Sequence, residues 1–164
     1  MKLSSLFHAD PEQDVAEPAA PPLEPIRLLF PDAQLSGWVQ PNGERVTDML
    51  QHGGPLRFLP AGARPDAWEL MEPADLQVVV PPPHVSLPER RVHRQRHEVF
   101  VRIGSYVVTG TAHLLPGEEN DPYLRASRQY LPITDAILSV EGYTPEVLET
   151  VIVNLKRVDE FEVI

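Results

Sequence analysis

The residues of this chain able to do chemistry are its histidines, arginines and carboxylates, and they gather in two stretches. The segment ERRVHRQRHE, residues 89–98, sets His93 and His97 four positions apart. On a helix that spacing turns two imidazoles to one side and offers half of a metal site. No third ligand stands beside them and the segment feeds a strand pattern, so no metal is expected. The same island carries Arg90, Arg91, Arg94 and Arg96, whose guanidinium forks suit phosphate or carboxylate. The chain's own acidic N-terminal segment is one available partner. Intramolecular docking or self-association is then as natural a reading as nucleic acid.

Further along, Ser105, His113 and Asp135 are the right types for a nucleophile, a base and an orienting acid. No G-x-S-x-G elbow exposes the serine, and His113 lies in a strand-like run, so the three are read as structural. Glu118, Glu119 and Asp121 lack the regular spacing of a calcium loop, and negative charge at the start of a short helix accounts for them. Thr134 and Asp135, polar positions within the apolar run QYLPITDA, remain as candidates for touching a partner. An aspartate there also suits an Asx turn. No glycine loop for phosphate is present. The absence of cysteine excludes disulfides, thiol nucleophiles and thiolate metal sites. Neither catalytic residues nor a cofactor are expected, and a metal-dependent hydrolase is kept only as a third reading.

The elements that must position these residues follow from proline and from hydrophobic spacing. Fifteen of the nineteen prolines lie in residues 1–88, so the first half is loop-rich and the second more regular. Residues 1–25 read as a flexible acidic Pro/Ala-rich arm. Its start holds Leu3, Leu6 and Phe7, an apolar cluster of the size of a docking motif. From Ile26, IRLLF and QLSGWV read as two strands about a tight turn, and Val46, Met49 and Leu50 as one face of a short helix. LRFLP and LQVVV follow. In the second half HEVFVRI and YVVTGTAHL form a hairpin with Val99, Val101 and Ile103 on one face. A turn and short helix follow over residues 116–127, then QYLPITDAILSV interrupted at Pro132, then a strand-rich end.

The two halves parallel one another. Gly37 corresponds to Gly110, Leu50 to Leu124, Phe58-Leu59-Pro60 to Tyr130-Leu131-Pro132, and residues 69–79 to residues 151–161. This reads as a degenerate tandem repeat. The expected fold is mainly β (α+β): two tandem small β-barrel-like modules, 26–81 and 97–164, each with a short helix, joined by a linker over 82–96. Units of this size bury little core alone, and packing two together covers strand edges.

A hairpin on a glycine turn, the Gly110-Thr111 step in its second strand and the closing VIVNLKRVDEF resemble small SH3-like barrels, the Sm-like barrels most closely. The chain also resembles uncharacterised bacterial proteins that pair an F-L-P-x-T-D-A element, here Tyr130 to Ala136, with a terminal pattern matching Asn154 to Val158. The resemblance implies an antiparallel barrel unit. It does not bring RNA binding with it, because the acidic-plus-Asn loop and the Arg-Gly pair of Sm proteins are missing here.

Net charge is −10, which disfavours broad nucleic-acid binding. No run has the length of a membrane helix, and the N-terminus lacks the apolar core of a secretory signal, so membrane insertion is not expected and a cytoplasmic location is. The favoured function is a non-enzymatic protein-binding or assembly module of a bacterial cytoplasmic complex. The alternative is an Sm-like nucleic-acid-binding protein using Arg90 to Arg96.

Overall fold

A computed structural model of the chain describes residues 20–83, 94–121 and 124–164. Leu3, Leu6 and Phe7 of the arm, and Arg90, Arg91 and His93 of the island, lie outside the described residues. The strands are β1 (Glu24–Leu29), β2 (Gln34–Val39), β3 (Leu56–Pro60), β4 (Glu69–Met71), β5 (Val78–Val80), β6 (Gln95–Ile103), β7 (Tyr106–Leu114), β8 (Tyr130–Val140), β9 (Glu146–Asn154) and β10 (Glu160–Val163). Among the described residues two short α-helices, α1 (Val46–Gln51) and α2 (Leu124–Ser127), accompany them. All ten strands join one antiparallel sheet in the order β10-β6-β7-β8-β9-β5-β1-β2-β3-β4. The fold is mainly β, as expected, but the strands form a single open sheet rather than two closed barrels.

Apolar residues fall into two cores. One collects Val99, Val101, Ile103, Val108 and Ile133 of the second half, the other Ile26, Leu28, Val39, Leu50 and Phe58 of the first. Successive strand residues point to opposite faces, and at the centre of the sheet they divide between the cores. Val78 joins one core and Val79 the other, and Val151 and Val153 part in the same way from Ile152. The cores therefore lie on opposite faces, and β5 and residues 151–154 of β9 are covered on both. This is why VVV in β5 and VIV in β9 are continuous apolar runs, while β6, farther from the centre, alternates. Each fully buried Val or Ile there contributes roughly 1.5–3 kcal/mol.

Numbered within its half, each set of five strands runs 5-1-2-3-4 across the sheet. Register makes the match residue-specific. Ile26 lies opposite Gly37, and Val99 opposite Gly110. Val79 lies opposite Leu28, and Phe161 opposite Val101. The 3₁₀ turns Pro73–Asp75 and Leu155–Arg157 fall at the same place in each half. Residues 69–79 and 151–161 thus correspond as the sequence indicates.

The F-L-P correspondence requires correction. Leu56 pairs with Met71 and Leu131 with Val153, and Met71 and Val153 are counterparts. Phe58 therefore matches Ile133, and Pro60 matches Asp135, three residues out of step with the tripeptide match. The close approaches agree: a side chain at Gly37 would strike Phe58 and the Leu59 carbonyl, and one at Gly110 would strike Ile133 and the Thr134 carbonyl. Nor does Pro132 break a strand. It lies within β8, and the β7 ladder ends at Ala112–Ile133, one residue short of it, so the missing N–H removes no bond on that side. The true irregularity is a bulge between Thr109 and Thr111, where Asp135 takes a left-handed φ of 49°.

Candidate functional site

The structure brings several of the singled-out residues to one patch on β6, β7 and β8. Arg96 lies opposite His113, and its guanidinium is 3.5 Å from the Asp135 carboxylate. Thr134 Oγ1 donates to the Thr111 carbonyl at 3.3 Å. With its one proton used, it accepts from His113 Nε2 at 3.1 Å. Thr111 Oγ1 in turn donates to Glu98 Oε1 at 2.9 Å. Partial burial holds the His113 imidazole below its ordinary pKa, Arg96 and then Arg94 add to this, and Asp135 opposes it. These surroundings favour the neutral imidazole, with its Nε2 set against the threonine hydroxyl. Arg96 and Asp135 are both mostly exposed, so their attraction adds little to stability.

The other candidates separate. Ser105 sits in the β6–β7 turn and His113 near the far end of β7, roughly 25 Å along the strand at ~3.3 Å per residue. That spacing dissolves the paper triad. Glu118 accepts from the Leu115 amide at 2.7 Å and Glu119 from the Gly117 amide at 2.8 Å, so both carboxylates hold the turn before α2. His97 lies in β6, not on a helix. It points to the core side opposite Ala112, and its Nε2 is buried without a partner. Gln95 and Arg96, assigned to the linker, already belong to β6.

The lowered pKa of His113 has a direct consequence. Because the folded state disfavours the protonated ring, the unfolded chain binds the extra proton first as pH falls below about 6.5. The stabilisation is complete above that pH and is lost as pH falls towards the lowered folded value. Denaturation midpoints measured from pH 8 to pH 5 should decline on the acid side. His113→Gln should make that part of the profile flatter.

Two further features were not singled out by residue type. First, the outer sides of β4 and β10 pair with no strand among the described residues. Ile164 gives its amide to Glu98, and alternation along the strand turns the amides of Val163 and Phe161 outward. At the other end Leu70 of β4 is 71 % exposed. Second, the halves meet at a short junction. Val78 and Val79 of β5 pair with Val153 and Ile152 of β9. Buried Asn154 donates through Nδ2 to the Leu76 carbonyl at 2.8 Å, and its amide donates to Gln77 at 2.9 Å. Tyr130 donates its hydroxyl to Pro73, Arg157 bonds Ala74 and Asp75, and Arg27 meets Glu146 at 2.7 Å.

Edges and junction are defined by strand pairing, so the chemical types of these residues do not mark them. Their signal was the pair of non-alternating runs, which report strands covered on both faces. Compared with known proteins, the chain matches no family model, no curated protein and no solved structure.

Proposed function

We propose that the chain is a non-enzymatic binding or assembly module, built from two copies of one small β unit, that acts through the free edges of its sheet. The observation that carries this reading is an open ten-stranded sheet whose terminal strands present backbone groups that no other described strand pairs, with an apolar Leu70 beside one of them. Free edges are templates for another strand, and proteins usually cover or charge them. The polar patch favours a protein over nucleic acid, because Arg96 faces Asp135 and the chain is acidic. Two substitutions test the reading. Leu70→Lys places a hydrated charge on one edge, and Val163→Pro removes an outward donor from the other while sparing the β6 ladder. Each should leave the circular dichroism spectrum intact and abolish association, read as sedimenting mass or as retention of a protein partner. Association unaffected by both would refute it.

A further inference from the structure

The junction between the halves supplies a template for what covers the free edges. Within the chain, the fourth strand of the second half, β9, pairs with the fifth strand of the first half, β5. The counterparts of these two strands are β4 and β10, the two edges of the sheet. Each half thus carries both sides of one interface, and only one of the two possible interfaces is made inside the chain.

The side chains carry the same asymmetry. Ile152 reaches across the junction into the core of the first half, where it is 1 % exposed next to Val79, also 1 % exposed. Leu70 is the counterpart of Ile152 and is 71 % exposed. Phe161 is the counterpart of Val79 and is only partly buried, at the border of the second-half core. Among the described residues, Leu70 is therefore a projecting side chain that enters no core, and no strand stands beside Phe161 as β9 stands beside Val79.

Resting on the edge-pairing reading above, we infer that the occupant of each edge is a second copy of this chain, with β4 of one copy pairing antiparallel to β10 of the next in the register of β9 with β5. Leu70 then lies opposite Phe161, and Met71 opposite Glu160. The contact is head-to-tail, so an open assembly keeps one free edge at each end until a ring closes. Glu69 falls opposite Glu162, a like-charge pair that weakens the contact at low salt.

The cysteine-free sequence allows a direct test. The Asn154 amide points to β5, so Val78 and Val153 form a non-hydrogen-bonded pair, with Cα atoms about 4.5 Å apart and within disulfide reach. Their counterparts across copies are Glu160 and Met71. The double variant Met71→Cys/Glu160→Cys of the full chain, oxidised at high protein concentration, should pass from the monomer band into a ladder of dimers, trimers and larger species, more fully at high salt. Met71→Cys mixed with Glu160→Cys should stop at dimers, and each single variant alone should stay monomeric. The out-of-register variant Met71→Cys/Glu162→Cys should give little ladder. Dimerisation of Met71→Cys alone as ready as that of the mixture would show a like-with-like contact and overturn the inference. A double variant that stays monomeric would overturn it too. In that case, a protein partner still lost on Leu70→Lys would leave edge pairing standing and remove only the second copy as occupant.

Discussion

Gly37→Ala is expected to destabilise the fold by about 3 kcal/mol, near the upper end of overpacking costs. For a chain of this size that lowers the melting temperature by roughly 6–12 °C. A methyl at this position would collide with the Leu59 carbonyl and the Phe58 ring. The first is backbone in a paired strand, and the second is a fully buried ring in the first-half core, so neither has room to yield. Gly110→Ala meets the same obstruction in the other half, 2.8 Å from Ile133 Cγ2 and the Thr134 carbonyl and 3.0 Å from Ala136 Cα. Ser36→Ala, exposed beside Gly37, should shift stability by no more than about 0.5 kcal/mol. Urea denaturation of the three variants checks this, and a Gly37→Ala chain as stable as Ser36→Ala would deny the close strand approach.

Asn154→Ala should have an effect of similar size for a different reason. The residue is 1 % exposed, donates to the Leu76 carbonyl and accepts from the Lys156 amide at 3.2 Å. Truncation leaves both of those groups without a partner, at about 1–3 kcal/mol for each buried one. Asn154 belongs to the second half and Leu76 to the first, so the loss falls on the contact between them. Unfolding should remain one cooperative transition at a lower midpoint. Ile152→Ala, which empties space in the opposite half's core, should cost about 2–5 kcal/mol and shift the same single transition. A split into two transitions, with only the second-half one moved, would show that β5 and β9 do not bind the halves into one unit.

Local pattern carried much of the fold. Alternation placed β6 and β7, the apolar face of α1 was read from Val46, Met49 and Leu50, and the correspondence of residues 69–79 with 151–161 agrees with sheet register. What local pattern misled on was position within the sheet. Phe58-Leu59-Pro60 and Tyr130-Leu131-Pro132 share residue types because both bury an aromatic and a leucine near the end of a ladder, yet they occupy places three residues apart. Pro132 reads as a break because proline removes a donor, and only the neighbouring ladder's end shows that no donor is needed there. The candidate site was less legible. Arg96, Thr134 and Asp135 do meet, through a cross-strand register that spacing along the chain does not encode. The edges were invisible for a deeper reason: whether a strand is terminal depends on every other pairing in the sheet. The exposed Leu70 is an ordinary strand residue until its counterpart Ile152 is found buried in the other half.

The most direct measurement is sedimentation velocity of the full chain over a rising concentration series, beside Leu70→Lys and Val163→Pro. Free, complementary edges predict a wild-type mass that climbs above the 18.4 kDa of one chain, further at high salt, while both variants stay at one-chain mass with unchanged circular dichroism. A wild-type chain that remains a single copy at every concentration, or edge variants that associate as readily as wild type, would contradict the account.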